Sequence, residues 1–310
     1  MKASKPSDLA GVWSASPTPF TDKMKVDKAS IRRMVEHHVK LGVKGLFLAG
    51  TCGEGPAMKD DQRRELIETT ARWAKGKLAI AVQVTDNSAA RMLENIRMVK
   101  DCGGEIAVIA PPYFVSNRTP QHIAEIYLDT IRNSPLPVGI YDRGQYSPVL
   151  VPDEVIKTVY SEPRVILAKD SSADEKRRKL ALAVRKKRQD LTLLSGWEFN
   201  CVPYIRDGYD GLLLGGGIFN GRLAQMIIEA VHAGEIDQAD RLQLRMNKMM
   251  WDVYGGKDIR CWLSGQKKLL VEMGVFSTWK SYCNYPLTEA CQKKIKQVMK
   301  READVLFPWR

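Results

Sequence analysis

The sequence predicts a closed (β/α)8 barrel, the TIM-barrel form of the α/β class, followed by a helical C-terminal extension. Three observations lead to that expectation. Short apolar runs alternate with amphipathic helical patterns from Gly11 to about Leu214. Eight such runs can be counted, the number that a closed parallel barrel requires. Beyond Leu214 only helical periodicity remains.

The predicted strands are Gly11–Ala15, Gly45–Ala49, Leu78–Gln83, Ile106–Ile109, Val138–Tyr141, Val165–Ala168, Leu191–Leu194 and Gly211–Leu214. Each is a nearly continuous apolar run, as expected of parallel strands covered on both faces and joined by helical crossovers. Between the first two strands, Ile31, Met34, Val35 and Val39 recur at intervals of three and four, which puts one face of a helix over Lys28–Leu41 on a core. Lys59–Trp73 forms the next helix. Asp86-Asn87-Ser88 supplies N-cap chemistry for a helix running to about Lys100. Thr119-Pro120 opens the helix that carries Ile123, Ile126, Tyr127 and Ile131, and Pro152 opens Asp153–Tyr160. The later helices fall at Leu223–His232, Ile236–Tyr254, around Ile259–Met273, and Thr288–Val305. The change of pattern divides the chain into a catalytic barrel, 1–233, and a helical appendage, 234–310, with no low-complexity linker between them.

The composition, 44% hydrophobic and 27% charged, is that of a folded globular protein and excludes collagen, low-complexity disorder and disulfide scaffolds. No stretch approaches the roughly 18–20 apolar residues of a membrane span. Met1–Asp8 has a charged start with no apolar segment behind it, so it does not read as a signal peptide. Six scattered cysteines without a C-x-x-C pair are most simply reduced thiols in a cytoplasm. The four histidines, His37, His38, His122 and His232, form no zinc-ligand pattern, so no metal is expected. The net charge of +12 asks for an anionic partner or a solvated basic surface. Its densest part, Lys176-Arg177-Arg178-Lys179 and Arg185-Lys186-Lys187-Arg188 around an apolar middle, reads as one solvated amphipathic helix. No aromatic residue interleaves for base stacking, so nucleic acid is not an expected partner.

In a parallel barrel the C-terminal strand ends carry the chemistry. Lys169 follows Val165-Ile166-Leu167-Ala168, which delivers its amine to the mouth of an apolar barrel. Desolvation there disfavours the ammonium form and favours a nucleophilic amine, able to form a Schiff base with a ketone. The alternative is a lysine that ends a strand and reaches solvent. Tyr141 ends the preceding strand, where its phenol could pass protons or polarise a carboxylate, or could simply be a buried rim aromatic. The turn Gly50-Thr51-Cys52-Gly53-Glu54-Gly55 permits close backbone approach, so its N–H groups and the Thr51 hydroxyl could hold a carboxylate. It could also be a plain strand-to-helix turn. Glu54 would brace it from behind.

Together these residues resemble the dihydrodipicolinate synthase / N-acetylneuraminate lyase family of class I, Schiff-base aldolases. The resemblance runs from about Gly11 to about Gly221, and the helical tail fits it. It is carried by Pro17-Thr18-Pro19-Phe20 after the first strand, Gly50-Thr51-Cys52-Gly53-Glu54 after the second and Pro111-Pro112-Tyr113 after the fourth. Tyr141 and Lys169, 28 positions apart (169 − 141), complete it. The resemblance implies that Lys169 binds pyruvate or a related 2-keto acid as an imine and that Tyr141 shuttles the proton. It further implies that Thr51 and the Cys52 amide hold the carboxylate, with Gly50 in the same turn. No metal or organic cofactor is implied, and a homotetramer built as a dimer of dimers is.

Departures from the family pattern bear on the substrate. Cys52 stands where a second Thr or Ser is usual. Tyr113 is followed by Phe114, which cannot carry a proton, where the synthases have a second tyrosine. Tyr146 falls where the synthases place an arginine for the aldehyde's carboxylate. Arg143 is close by and could serve a differently placed carboxylate, or pair with Asp142 or Asp170. Trp197 and Glu198, after the seventh strand, would suit a polyhydroxylated chain by stacking and by accepting hydroxyl hydrogen bonds. Gly215-Gly216-Gly217 admits a ligand close to backbone, or packs a tight corner. The expectation is therefore a pyruvate-dependent lyase or aldolase of a sugar-acid or related aldol substrate, which makes or breaks a C–C bond or dehydrates a 2-keto-3-deoxy sugar acid (C–O cleavage) through the same imine. The competing readings are synthase activity on aspartate semialdehyde, a non-catalytic keto-acid binder with Lys169 tied to Asp170, and a nucleic-acid-associated protein resting on charge alone.

Overall fold

The computed structural model describes residues 6–116 and 118–309. The N-terminal residues 1–5, part of the segment read as lacking a signal peptide, lie outside the described residues. Eight parallel strands close into a barrel in sequence order: β1 Gly11–Ala15, β2 Gly45–Leu48, β3 Ala79–Gln83, β4 Ile106–Ile109, β5 Val138–Asp142, β6 Val165–Asp170, β7 Thr192–Ser195 and β8 Gly211–Leu214. The seam is sealed by the pairing of Val12 with Leu212 and Trp13 with Leu213. Helices α1 Pro6–Leu9, α2 Lys28–Leu41, α3 Asp60–Ala74, α4 Ala89–Asp101, α5 Pro120–Asn133, α6 Asp153–Ser161, α7 Glu175–Lys187, α8 Val202–Arg206 and α9 Gly217–His232 accompany the strands. Helices α10 Ile236–Tyr254, α11 Trp262–Glu272, α12 Glu289–Arg301 and α13 Ala303–Leu306 follow.

The apolar runs are apolar throughout because alternate residues serve two cores. Trp13, Phe47, Ala81, Val108, Tyr141, Leu167, Leu194 and Leu213 share the barrel interior. Their neighbours Val12, Leu46, Val82, Ile109, Ile140, Ala168 and Leu212 face the surrounding helices. The indole of Trp13 donates to the Leu9 carbonyl at 2.8 Å, which ties α1 to the barrel interior. N-cap side chains act where the sequence placed them: Ser88 accepts from Arg91 N–H and Thr119 from His122 N–H.

Several boundaries differ from expectation, for identifiable reasons. Strand β2 stops before Ala49, whose φ of 55° takes it out of the extended region. Strands β5 and β6 run past their apolar stretches, because Tyr141 pairs with Lys169 and Asp142 with Asp170. Polar residues hid that extension. Helix α9 begins six residues earlier than expected, at Gly217 (223 − 217), whose missing side chain lets the helix start pack closely on β1: a Cβ there would lie 2.9 Å from the Trp13 carbonyl oxygen. The last helix breaks at Glu302, a buried carboxylate that accepts from Arg245 Nε at 2.7 Å.

The basic helix is less solvated than its composition indicates. Arg177 is buried between Asp142 and Asp153, each at 3.2 Å. Arg178 pairs with Asp207 and Arg185 with Asp210. Arg188 donates to the carbonyls of Tyr160, Glu162 and Val165. Much of this charge fastens α7 to the barrel. Among the described residues no helix is long and apolar enough to cross a membrane.

Candidate active site

The side-chain alternation of β5 and β6 decides what faces inward. Tyr141 and Lys169 point into the barrel mouth, while Asp142 and Asp170 point out. Asp142 accepts from Arg177, from the Tyr160 hydroxyl at 3.3 Å and from Gly144 N–H at 3.0 Å. Asp170 accepts from the Tyr209 hydroxyl at 2.7 Å and from both Ser172 groups. Lys169 is therefore not held by Asp170. Among the described residues no ion pair engages its amine. The side chain is only 3% exposed. Its Nζ sits 4.2 Å from the Tyr141 ring centroid and 5.1 Å from that of Phe47, the ring faces supplying its nearest electrostatic support. Gly196 makes room for it: a Cβ there would lie 2.9 Å from Lys169 Cε and 2.0 Å from Ser171 Oγ.

The turn after β2 brings Thr51 to the same place, its hydroxyl 3.5 Å from that of Tyr141. Cys52 is buried beside it, and burial pushes its thiol up to about 12, so the sulfur stays protonated at neutral pH. Gly50 does not reach the cavity; a Cβ there would strike the Phe47 ring at 2.8 Å. Glu54 braces the turn from behind, as expected, but its partners come from the C-terminal appendage. It accepts from the Lys267 ammonium, from Ser281 Oγ at 2.7 Å and from the backbone N–H groups of Tyr282 and Cys283. Lys267 also donates to the Lys280 carbonyl at 2.8 Å.

Above Lys169 opens a cavity of about 370 Å³. The barrel contributes Thr51, Cys52, Tyr141, Lys169 and Gly215 to its floor. Its rim holds Arg143, Tyr146, Trp197 and Phe199, and the appendage adds Ile259, Trp262 and Tyr285. Glu198 also lines it, but its carboxylate is already engaged: Gly216 N–H donates to Oε2 at 2.7 Å and the Tyr254 hydroxyl to Oε1 at 3.1 Å. Burial raises the pKa of Glu198, against the pull of these two donors. Gln266 fixes the Gly215 carbonyl at 2.8 Å. Arg143 makes no ion pair among the described residues, because Arg177 has taken Asp142. Tyr113 and Phe114 lie outside the cavity, and Phe114 is 83% exposed.

The structure thus gathers every proposed residue except Gly50. Sequence reading missed Tyr146 as a cavity residue, together with Phe199, Ile259, Trp262 and Tyr285. The aromatic residues of the tail were a signal, but nothing in their spacing tied them to a barrel mouth.

A buried, unpaired lysine facing a tyrosine and a threonine is the arrangement needed to activate a ketone. A family model described as the dihydrodipicolinate synthetase family matches residues 8–303. The chain belongs to that family. It is a class I, pyruvate-dependent aldolase or lyase, in a family whose synthases and lyases work through a lysine Schiff base. The N-acetylneuraminate lyase of Escherichia coli strain K12 is 26% identical over 281 residues, covering 90% of this chain and 87% of the lyase. Dihydrodipicolinate synthase from Bacteroides thetaiotaomicron superposes with a TM-score of 0.84 at 26% identity, over 94% of this chain and 98% of the synthase. A Clostridium difficile protein, CdNal, solved in complex with mannosamine, shares the fold at 19% identity with a TM-score of 0.84, over 94% and 99% of the two chains.

Proposed function

We propose that Lys169 is the Schiff-base lysine of this aldolase and that the barrel of residues 1–233 makes or breaks a C–C bond beside a pyruvate-derived enamine. The observation that carries the reading is the Lys169 amine, buried, without an ion-pair partner among the described residues, and set against the Tyr141 ring. The amine attacks C2 of the 2-keto acid, and loss of water leaves the imine, whose nitrogen is the electron sink. Tyr141, within reach of Thr51, carries the protons of carbinolamine breakdown and of the aldol hydroxyl. Thr51 and the Cys52 amide hold the keto acid's carboxylate, while the residues of 234–310 close the cavity. The imine supplies the activation, so the reading calls for no metal or organic cofactor.

The likeness to the Bacteroides synthase favours a second reading, condensation with aspartate semialdehyde. Against it stand Phe114, which lies away from the cavity, and Tyr146 at the rim in place of an arginine. Two further proposals go with the first. The adjacent exposed rings of Tyr113 and Phe114 suit a contact with another copy of the chain, in keeping with a homotetramer. Six free thiols among the described residues suit a reducing cytoplasm.

Borohydride reduction in the presence of pyruvate, followed by intact mass and peptide mapping, tests the mechanism. The expected result is one pyruvate-sized adduct on Lys169, absent in Lys169→Ala. No adduct with pyruvate or with longer 2-keto acids refutes the imine and moves the keto-acid-binder reading to first place.

A further inference from the structure

The half of the cavity that receives the second reactant is built from ring faces. On one side Tyr146, after β5, stacks on Trp197, after β7, with centroids 5.9 Å apart and planes 14° from parallel. On the other side Trp262 of α11 meets Tyr285 edge to face at 5.3 Å. These pairs come from separate parts of the chain and converge on the space above Lys169. Between them Ile259 lines the cavity although its φ is 48°. A β-branched residue is strained in that conformation, and here the strained segment presents an apolar side chain to the ligand space. The rim charge is Arg143, whose guanidinium has no ion-pair partner among the described residues.

Polyol recognition needs hydrogen-bonding groups with free capacity, one or more per hydroxyl. Glu198, the carboxylate expected to serve sugar hydroxyls, already accepts from Gly216 on one oxygen and from Tyr254 on the other, which halves the capacity it can offer to hydroxyls. Flat rings set at stacking and edge-on distances suit another planar π-system, and a free guanidinium suits a carboxylate. Taking Lys169 as the imine-forming residue, we infer that the acceptor is an aromatic aldehyde bearing an anionic substituent, held between the two aromatic pairs and read by Arg143.

The chemistry balances with pyruvate alone. The imine gives up one C3 proton to become the enamine, whose electron pair forms the bond from pyruvate C3 to the aldehyde carbon, and the aldehyde oxygen takes up one proton in exchange to become a hydroxyl. Hydrolysis of the regenerated imine by one water releases a 4-aryl-4-hydroxy-2-keto acid and the free Lys169 amine. Cleavage of that product is the same sequence reversed.

The test pairs borohydride trapping with an acceptor panel: 2-, 3- and 4-carboxybenzaldehyde, benzaldehyde, D-erythrose, N-acetylmannosamine and aspartate semialdehyde, each with pyruvate, followed by product mass and initial rates. The inference expects trapping together with kcat/KM for a carboxybenzaldehyde at least tenfold above that for any polyol or for the semialdehyde. Trp197→Ala should collapse that preference by about tenfold, as expected for a lost stacking partner worth roughly 1–1.5 kcal/mol. Arg143→Met should raise KM for the carboxybenzaldehyde and leave KM for benzaldehyde unchanged. Trapping with equal or better use of a polyol or the semialdehyde overturns the aromatic acceptor and leaves the imine mechanism standing. Absence of trapping overturns both.

Discussion

Lys169 and Lys267 are both buried near the same end of one barrel, and they live by different rules. Lys267, with no exposed surface, donates to Glu54 and to the Lys280 carbonyl and lies 4.6 Å from the Phe20 ring centroid. Its charge is matched by a carboxylate that also gathers Ser281, Tyr282 and Cys283. Lys169 has ring faces and no ion-pair partner among the described residues, and Glu198, a carboxylate lining the same cavity, is turned to Gly216 and Tyr254. The difference teaches what each amine is for. Lys267 is a strut held between a carboxylate and a carbonyl; Lys169 faces an open cavity where a keto acid can reach its Nζ.

Exchanging each lysine for methionine separates the two roles most sharply. Lys169→Met should abolish turnover, by at least about 10³-fold, while leaving the fold intact and raising stability by roughly 1–2 kcal/mol, because an uncompensated buried amine is replaced by an apolar side chain. Lys267→Met should do the reverse: it strands Glu54 in the interior and costs about 3–5 kcal/mol, with turnover reduced only through the loosened Trp262 and Tyr285 side of the cavity. Adding Glu54→Gln to Lys267→Met should recover much of that loss, since it removes the stranded charge. Urea unfolding and turnover rates of the three variants beside wild type read all of this. A stabilised Lys267→Met, or a Lys169→Met that unfolds, would erase the distinction.

The comparison also sets what Tyr141 must do. Since Lys169 has no carboxylate to take or return its proton, the phenol 3.5 Å from Thr51 is the group placed to do so. Tyr141→Phe keeps the ring beneath the amine and removes only the hydroxyl. The expected loss in kcat is about 10²–10⁴-fold, with the pyruvate adduct still trapped on longer exposure to borohydride. An unchanged kcat would hand the proton to another group, the Glu198 carboxylate being the candidate that lines the same cavity.

The two amines were unequally legible in the sequence. Lys169 stood at the end of Val165-Ile166-Leu167-Ala168, so the strand pattern delivered it to the mouth, and all eight strands were placed to within two residues. Lys267 fell inside the helix expected around Ile259–Met273 with nothing to single it out, because its partner Glu54 lies 213 positions away (267 − 54). The same distance hid Ile259, Trp262 and Tyr285, which reach the cavity only because the appendage folds back over the barrel. Periodicity reports which face of an element is buried and is silent about which distant element buries it. Arg177 was misread for the complementary reason: composition marks a basic run as solvated, whereas one member was needed to neutralise the outward-facing Asp142.

The finest test turns from the amines to the carboxylates beside them. Glu54 is matched by an ammonium in direct contact; Glu198 makes no ion pair among the described residues and accepts from Gly216 N–H and the Tyr254 hydroxyl, and burial raises its pKa above the ordinary 4.5. A group whose pKa is higher in the folded protein than in the unfolded chain contributes stability that is complete below its ordinary value and disappears as pH climbs through the raised one. Wild type should therefore lose stability as pH climbs from about 4.5 through the raised value. Glu198→Gln, which cannot ionise and still offers an oxygen to Gly216 N–H, should flatten that part of the profile. Urea midpoints from pH 4 to pH 8 for the two proteins measure it. Identical slopes would mean that the Glu198 carboxylate is as well solvated by its two donors as it would be by water, and that the contrast between the two buried acids is smaller than the contrast between the two lysines.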